Sequence, residues 1–102
     1  MSDIQSLINA INEFRDERNW RQYHNPKDLA ISISIEAAEL LEDFQWISSE
    51  EALKANKENI REEIADVLIY SFMLCNDLGL NVKEIVEEKI VKNGRKLSLI
   101  HI

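Results

Sequence analysis

Apolar residues recur along the chain three and four positions apart, which is the spacing of one face of an α-helix. The pattern begins after Ser2, where Ile4, Leu7 and Ile8 define a first apolar face. Short interruptions divide the pattern into five segments, and we expect each segment to be a helix. The predicted helices cover residues 2–19, 27–44, 49–56, 58–78 and 82–93.

Residues that start and stop helices stand at the borders of these segments. Asn25-Pro26 combines a capping side chain with a proline suited to the first helical position. Ser48 and Asn81 each precede a glutamate by three residues, which is the capping-box pattern. Gly79 and Gly94 stand where helices are expected to end. In the last helix, the residues expected to face inward are Val82, Ile85, Val86 and Ile90.

The segment Ala30–Ile35 alternates apolar and polar residues, a pattern that is typical of a strand. It continues without a Gly, Pro or Asn into 36–44, where the residues favour helix. We therefore expect one continuous helix that is apolar on several faces and central in a bundle. The helix at 58–78 has the same character, because Val67–Cys75 is apolar on nearly every side.

Composition agrees with an all-α protein of one domain, residues 1–102. Two Gly and one Pro are few for 102 residues, of which 45% are hydrophobic. Only two other substantial helices are available to cover the central pair, so a second copy of the chain is expected to bury the remaining apolar surface. The net charge of −7 disfavours nucleic acid as a partner.

The compartment is predicted from three further features. The longest apolar run, Val67–Cys75, is far shorter than the about 20 residues that cross a membrane. Cys75 is the one cysteine and has no disulfide partner within the chain, which is typical of a reducing compartment. No basic-then-apolar signal sequence opens the chain. We therefore expect a cytoplasmic protein with no membrane partner.

Two acid pairs stand inside the apolar stretches of the central helices. Glu36 and Glu39 form the first pair, and Glu63 and Asp66 form the second. In each pair the carboxylates are three residues apart and share a helix face. Carboxylates on an apolar face must pair with a cation, take up a proton or bind a metal ion. If the two helices pack together, the repulsion among the four acids would be relieved by a divalent cation.

An oxygen-only cluster of this kind suits a hard cation, so we expect magnesium, with manganese as a substitute. A ferritin-like di-iron site is disfavoured, because neither Glu36 nor Glu63 is followed by a His three residues later. Magnesium with open coordination positions can bind a polyphosphate and acidify a water molecule. Tyr70 lies one turn beyond Asp66 and could reach this site. The last helix carries a stripe of cationic and amide side chains, formed by Lys89, Lys92 and Asn93.

The acid pairs belong to a wider set of motifs that resembles the MazG-like, all-α nucleoside triphosphate pyrophosphohydrolases. The likeness is to their small dCTP-pyrophosphatase branch and covers roughly residues 4–96. The matching motifs are Glu17-Arg18-Asn19-Trp20, Gln22-Tyr23-His24, Pro26, the two acid pairs, Phe44-Gln45-Trp46 and Lys89, Asn93 and Lys96.

The resemblance implies a bundle of four helices with two central acidic helices and a short connecting helix. It implies cleavage of a nucleoside triphosphate between its α- and β-phosphates, giving a monophosphate and pyrophosphate. It further implies dimers, or tetramers made of two dimers, in which a neighbouring chain completes each site.

Site residues are also implied by the resemblance. Magnesium would be bound by Glu36, Glu39, Glu63 and Asp66, and Glu36 or Glu39 would accept the proton of the attacking water. The nucleoside would be surrounded by Trp20, His24, Trp46 and Tyr70. The phosphates would lie near Lys89, Asn93 and Lys96.

Two departures from the family pattern leave alternatives open. Ile11 stands where the dCTP-preferring relatives carry a His, and Leu97-Ser98 stands where the family often has an aromatic residue and a proline. The substrate could therefore be dCTP, a related deoxynucleotide, dUTP or phosphoribosyl-ATP. A different class of function is a non-catalytic helical oligomerisation module whose acids hold a structural metal or pair with lysines.

Overall fold

The protein is built from helices, as the hydrophobic pattern predicts. A computed structural model describes the backbone of residues 2–100 and the side chains of residues 2–96. No strand occurs in that part of the chain, and none of its helices is long and apolar enough to cross a membrane. The elements are α1 (Asp3–Glu17), a 3₁₀ turn (Trp20–Tyr23), α2 (Pro26–Glu42), α3 (Ser49–Ala55), α4 (Lys57–Asp77) and α5 (Val82–Ile100).

Four helices begin at a side chain that caps them. Each capping oxygen accepts a hydrogen bond from the backbone N–H three residues later, which a helix start otherwise leaves unpaired. The predicted caps Asn25, Ser48 and Asn81 are confirmed by these bonds. The four bonds run from Gln5 N to Ser2 Oγ at 3.1 Å, from Asp28 N to Asn25 Oδ1 at 2.8 Å, from Glu51 N to Ser48 Oγ at 3.1 Å and from Glu84 N to Asn81 Oδ1 at 2.9 Å.

The end of α4 is set by Gly79, as predicted. Its φ of 69° lies in the left-handed region, which a residue without a Cβ adopts readily. The Leu80 N–H donates to the Cys75 carbonyl at 2.8 Å, and the Gly79 N–H donates to the Asn76 carbonyl at 3.1 Å. These two bonds form a Schellman motif, which satisfies the last carbonyls of α4 and turns the chain sharply.

The predicted end of the last helix is wrong. Gly94 lies inside α5, which continues to Ile100. Glycine costs a helix interior only about 1 kcal/mol relative to alanine, and neighbours such as Arg95 and Lys96 favour helix. The tail from Leu97 onward, for which the sequence pattern predicts no element, thus continues α5 as far as Ile100. The side chains of residues 97–100 and the whole of residues 101–102 lie outside the described part of the chain, so the role of the tail stays a question for experiment.

The centre of the fold is the contact between α2 and α4, which is by far the most extensive in the chain. Helix α1 packs on α4, and α3 packs on α4 as well. The prediction of two central helices is confirmed by this arrangement, and Ala30–Ile35 is helical within α2. Few apolar side chains are buried among residues 2–96: Ile8, Leu29, Ala52, Ile60, Met73 and Val82.

Helix α5 leaves the bundle after its first residues. It forms no extensive contact with another described helix, and Val82 at its start is the only buried side chain of α5 up to residue 96. The prediction that Val86 and Ile90 face inward is wrong within one chain, since they are 50% and 63% exposed. The radius of gyration is 16.6 Å, whereas a compact domain of this length has about 13 Å.

Candidate metal and nucleotide site

The two acid pairs face each other where α2 and α4 pack. The carboxyl of Glu36 contacts that of Glu39 and lies near enough to Asp66 for the negative charge of Asp66 to raise the pKa of Glu36. The carboxyl of Glu63 lies near enough to Glu36 and Glu39 for their negative charges to raise its pKa. Glu36, Glu63 and Asp66 are half-buried, and Glu39 is exposed. The structure therefore brings all four predicted acids into one cluster.

Asp43 is a fifth member of this cluster, and the sequence reasoning missed it. It directly follows α2, and its side chain is buried against the carboxyl of Glu63. This contact raises the pKa of Glu63 to about 7, with burial and the charges of Asp43, Glu39 and Glu36 acting in the same direction. The signal was present, because Asp43 follows Glu39 by four residues and so extends the same helix face.

The cluster has more acceptors than donors. Glu36 Oε2, Asp43 Oδ2 and Glu63 Oε2 are buried and receive no hydrogen bond. Carboxylates that touch one another share no proton while both are ionised, so contact between them does not satisfy these oxygens. Burial is the main cause that raises the pKa of Glu36, and its contact with Glu39 raises the pKa further. A cation is the group that would satisfy such oxygens without protonating them.

The donor set fits a hard divalent cation, but the side chains are not yet arranged as its ligands. All the donors are carboxylate oxygens, which Mg²⁺ and Mn²⁺ prefer over softer metals. Among the described residues, no three His, Cys, Asp or Glu side chains already converge as the ligands of one ion. The carboxyls contact each other in pairs instead, Glu36 with Glu39 and Glu63 with Asp43. Binding would require rotation of these side chains.

Tyr70 lies one turn beyond Asp66 on α4 and faces the same cluster. Burial and the negative charges of Glu36, Asp66 and Glu39 raise the pKa of its phenol above the ordinary value of 10.0. The phenol therefore keeps its proton at neutral pH. It can donate a hydrogen bond to an anionic group bound beside the acids.

An apolar cavity of about 650 Å³ opens between α1 and α4. Its volume lies in the range of small-molecule pockets, about 300–1,000 Å³. Asp66 and Tyr70 belong both to its wall and to the acid cluster, so the cavity and the cluster are continuous. The other lining residues are Leu7, Ala10, Ile11, Phe14, Trp20, Ala65, Leu68, Ile69, Phe72 and Met73.

Trp20 forms one wall of this cavity and is held by two neighbouring rings. Its ring packs edge-to-face on Phe14, with centroids 5.2 Å apart, and on His24, with centroids 6.0 Å apart. His24 supports Trp20 and is not itself among the residues that line the cavity. Burial and the charge of Arg15 lower the pKa of His24, which favours its neutral form.

Arg15, near the end of α1, carries a fully buried charge. Its side chain is 0% exposed and forms two hydrogen bonds with Asp77, at 3.0 and 2.8 Å. The same junction of α1 and α4 is joined by Asn12, whose amide donates to Asn76 at 3.3 Å. This ion pair fixes the end of α1, from which the 3₁₀ turn carrying Trp20 follows directly.

Four predicted site residues stand apart from the acids within one chain. Trp46 is 96% exposed, and its φ of 68° is in the left-handed region, which is unusual for a bulky side chain. The other three are exposed side chains on α5, which forms no extensive contact with the bundle. They are Lys89, Asn93 and Lys96.

Comparison with known proteins places this arrangement in a family. A sequence model of the MazG-like family matches residues 31–101, which include both acid pairs and Asp43. This chain belongs to the MazG-like family. The resemblance inferred from the motifs is thereby confirmed.

Individual MazG-like relatives agree with this assignment. The chain is 33% identical over 89 residues to dCTP pyrophosphatase 1 of Bos taurus and of Homo sapiens, and the match covers 82% of this chain. It covers 53% and 52% of those proteins, so this chain spans about half their length. A crystal structure of a pyrophosphatase from Archaeoglobus fulgidus superposes with a TM-score of 0.88 at 50% identity, covering 94% of this chain and 93% of that one.

Proposed function

We propose that this protein is a magnesium-dependent nucleotide pyrophosphohydrolase. It cleaves a deoxynucleoside triphosphate, dCTP or a close relative, to the monophosphate and pyrophosphate. The observation that carries the proposal is the continuity of the acid cluster with an apolar cavity of small-molecule size. The relatives are a dCTP pyrophosphatase and a pyrophosphatase, and these activities point to the same reaction.

The acids would bind the metal, and one of them would act as the general base. Glu36, Glu39, Glu63 and Asp66 would hold Mg²⁺, or Mn²⁺ in its place. The bound cation supplies charge neutralisation for the triphosphate and acidifies a water molecule. Glu36 or Glu39 would accept the proton of the water molecule that attacks phosphorus. Tyr70 donates its phenolic hydrogen to an anionic oxygen held beside the cluster.

The nucleoside would occupy the cavity between α1 and α4. Trp20 provides an aromatic wall on which a base can stack, and His24 holds that wall in place. Ile11 also lines the cavity, so the base meets an apolar surface at this position rather than a hydrogen-bonding side chain. The cavity excludes water from one side of the reacting nucleotide, which strengthens the electrostatic interactions at the acids.

The remaining predicted residues would reach the site from a second copy of the chain. Trp46 and the α5 residues Lys89, Asn93 and Lys96 are exposed to solvent in a single chain. In a homo-oligomer, either a dimer or a dimer of dimers, they would close the nucleoside and phosphate ends of a neighbouring site. Large apolar side chains exposed on α2, α4 and α5 provide the surface for this assembly.

The reaction can be tested with a panel of nucleotides and analysis of the phosphorus products. The panel includes the deoxynucleoside triphosphates, dUTP and phosphoribosyl-ATP, each with Mg²⁺, with Mn²⁺ and with a chelator. We expect one monophosphate and one pyrophosphate per turnover, with dCTP or a close relative among the best substrates, and no turnover with the chelator. Release of orthophosphate without pyrophosphate from every nucleotide would contradict the proposal.

Substitutions in the acid pairs test which residues carry the reaction. Glu39→Gln and Asp66→Asn each remove an anionic ligand and keep the size of the side chain, so we expect turnover to be abolished. Without metal, both variants should unfold at the wild-type temperature or higher, because like-charge repulsion is reduced. Glu42→Gln is the matched control, since Glu42 is exposed on the same helix. Full activity of either acid variant would refute the assigned roles.

A further inference from the structure

We propose that the ion pair of Arg15 and Asp77 positions Trp20 for nucleotide binding, because it holds the end of α1 in one place on α4. Neither residue lines the cavity between these helices, so both act through Trp20 and are positioning residues, not catalytic ones. The inference rests on the proposed function in taking this cavity as the nucleotide site. It adds two residues outside the cavity on which the affinity for the nucleotide depends.

The first argument is that α1 has little else to fix it on α4. The contact between these helices is much less extensive than that between α2 and α4, and a cavity of about 650 Å³ occupies part of the interface. All side chains of α1 are described, and two of them are buried, Ile8 in the first half of the helix and Arg15 near its end. At the end that leads to Trp20, the distance between α1 and α4 therefore depends on Arg15.

The second argument is the geometry of the ion pair. Arg15 Nη1 and Nη2 donate to Asp77 Oδ1 and Oδ2 at 3.0 and 2.8 Å, and the Arg15 side chain is 0% exposed. Two parallel bonds between planar groups fix their orientation as well as their distance. Asn12 also donates to Asn76 at 3.3 Å across the same junction. Separating the pair would leave Arg15 buried without a counter-ion, so the closed junction is strongly favoured.

The third argument is the short connection from Arg15 to Trp20, five residues later. The Arg18 N–H donates to the Arg15 carbonyl at 3.2 Å. The Asn19 N–H donates to the Asp16 carbonyl at 3.2 Å. Asn19 has a φ of 54°, in the left-handed region, and leads directly into the 3₁₀ turn that begins at Trp20. Because hydrogen bonds join the chain over this stretch, displacing Arg15 also displaces the Trp20 backbone.

The fourth argument is that His24 connects the ion pair to the Trp20 ring. Its imidazole packs edge-to-face on that ring, with centroids 6.0 Å apart. Burial and the charge of Arg15 lower the pKa of His24, whereas the charge of Asp77 raises it, so the imidazole lies close to both members of the pair. Its Nδ1 is buried and forms no hydrogen bond with the described residues, so packing holds the imidazole in place. The ion pair thus supports the Trp20 ring as well as its backbone.

The positions of these residues predict which kinetic constant they affect. Asp77 is eleven residues beyond Asp66 on α4, a rise of about 16 Å along the helix, and none of the proposed metal ligands lies on α1. A change in the ion pair therefore leaves the acids in place and loosens the aromatic wall on which the base stacks. Stacking of a base on an aromatic side chain changes affinity by about tenfold. We expect the affinity for the nucleotide to fall and the cleavage rate of the bound nucleotide to stay the same.

Steady-state kinetics with Mg²⁺ and the best substrate of the nucleotide panel test this expectation. KM and kcat are measured for the wild type, for Asp77→Asn and for the control Glu13→Gln, which removes an exposed carboxylate from α1. Circular dichroism checks that each variant is folded at the assay temperature. We expect Asp77→Asn to raise KM by about tenfold with kcat unchanged, and Glu13→Gln to change neither. A wild-type KM in Asp77→Asn, or a fall in kcat at unchanged KM, would overturn the inference.

A second variant separates positioning from stability. Arg15→Leu combined with Asp77→Leu replaces the ion pair by apolar side chains, an exchange that is often neutral or stabilising. Leucine side chains lack the paired bonds that fix an orientation, so we expect a melting temperature close to that of the wild type but a raised KM. If this double variant had both the stability and the KM of the wild type, the ion pair would be structural only and the inference would be wrong.

Fluorescence of Trp20 tests the same inference without any turnover. Trp20 and Trp46 are the two tryptophans of the chain, so Trp46→Phe leaves Trp20 as the single reporter. In this background, Asp77→Asn and the double leucine variant should lower the anisotropy of Trp20 and raise its quenching by acrylamide, whereas Glu13→Gln should change neither. Unchanged anisotropy and quenching in both pair variants would overturn the inference even if nucleotides are cleaved. If no nucleotide is cleaved while Trp20 becomes mobile, the proposed function fails and the positioning of Trp20 by the ion pair stands.

Discussion

Buried charges in this protein occur in two different settings, and the setting of each residue determines what it can do. The fully buried Arg15 faces Asp77 in a two-pronged ion pair, so the charges compensate each other. Asp43 and Glu63 face another carboxylate, so their charges reinforce each other. The first arrangement stabilises the native chain by itself. In the second arrangement a bound cation would compensate the charges, as the proposed function requires.

The ion pair of Arg15 predicts how stability depends on pH. The hydrogen bonds from Arg15 hold the pKa of Asp77 below its ordinary value of 3.8. Asp77 in the native state therefore stays ionised at a lower pH than in the unfolded chain. Its contribution to the free energy of unfolding is complete above the unfolded pKa, and it is lost as the pH falls through the native pKa.

We expect Asp77→Asn to lower the free energy of unfolding by about 3 kcal/mol at pH 7, because it leaves the buried Arg15 without a counter-ion. The difference from the wild type should stay constant down to about pH 5 and shrink below about pH 4, where Asp77 of the unfolded wild type begins to take up a proton. Chemical denaturation at a series of pH values measures both. Asp16→Asn is the control, because its pair with Arg21 is exposed and should contribute less than about 1 kcal/mol. Equal losses in the two variants would contradict the assignment.

At the scale of the helices, the sequence predicts what depends on neighbours along the chain. The caps Asn25, Ser48 and Asn81 and the stop at Gly79 depend on local hydrogen bonds, and the structure confirms them. The helical state of Ala30–Ile35 follows in the same way from the residues that continue it. The end of α5 was predicted wrongly, because a glycine is compatible both with a helix interior and with a left-handed stop.

The parts of the site that the sequence did not predict depend on contacts between helices. Arg15 looks like part of a solvated helix end until Asp77 of α4 is placed beside it. Asp43 looks like one more exposed acid until the junction with Asn56 buries it against Glu63. The direction of α5 also depends on packing, since its apolar residues would suit either its own bundle or another chain. Pattern and spacing determine helix faces, but they do not determine which faces meet.

The two glycines provide a matched test at this scale. Gly94 lies in a helix with no atom near an added Cβ, so Gly94→Ala should raise the free energy of unfolding by about 0.5–1 kcal/mol. Gly79 has a left-handed φ, so Gly79→Ala should lower it by about 1–2 kcal/mol. Both are measured by denaturation at one fixed protein concentration, because assembly would otherwise change the apparent stability. If Gly94→Ala were as destabilising as Gly79→Ala, α5 would end at Gly94 after all.

At the scale of the molecule, a single chain leaves large apolar side chains uncovered. Its radius of gyration of 16.6 Å exceeds the about 13 Å of a compact domain, and α5 exposes Val86, Ile90 and Val91 to solvent. The acids and the cavity lie in the bundle, whereas the residues proposed for the phosphates lie on α5. We infer that these apolar residues pack on a second copy, and that the same contact brings the α5 cations to the partner's acids.

Complementation between two inactive variants tests whether sites are shared. Glu39→Gln removes an acid from the bundle, and Lys89→Ala removes a cation from α5. Each variant alone should be inactive or nearly so. When the two are unfolded together and refolded, mixed dimers contain one site that is built from the two unaltered halves. Random pairing should then restore about a quarter of the wild-type activity.

The control is the mixture of Glu39→Gln with Asp66→Asn. Both substitutions lie in the acid cluster of one bundle, so no combination of these chains contains an intact cluster and no activity should return. Light scattering and pull-down of one tagged variant measure whether mixed oligomers form. Recovery only in the first mixture requires that α5 acts on the neighbouring chain, because an intact site can then arise only across the interface. Mixed oligomers that form but stay inactive would show that α5 serves its own bundle, and the shared-site arrangement would be wrong.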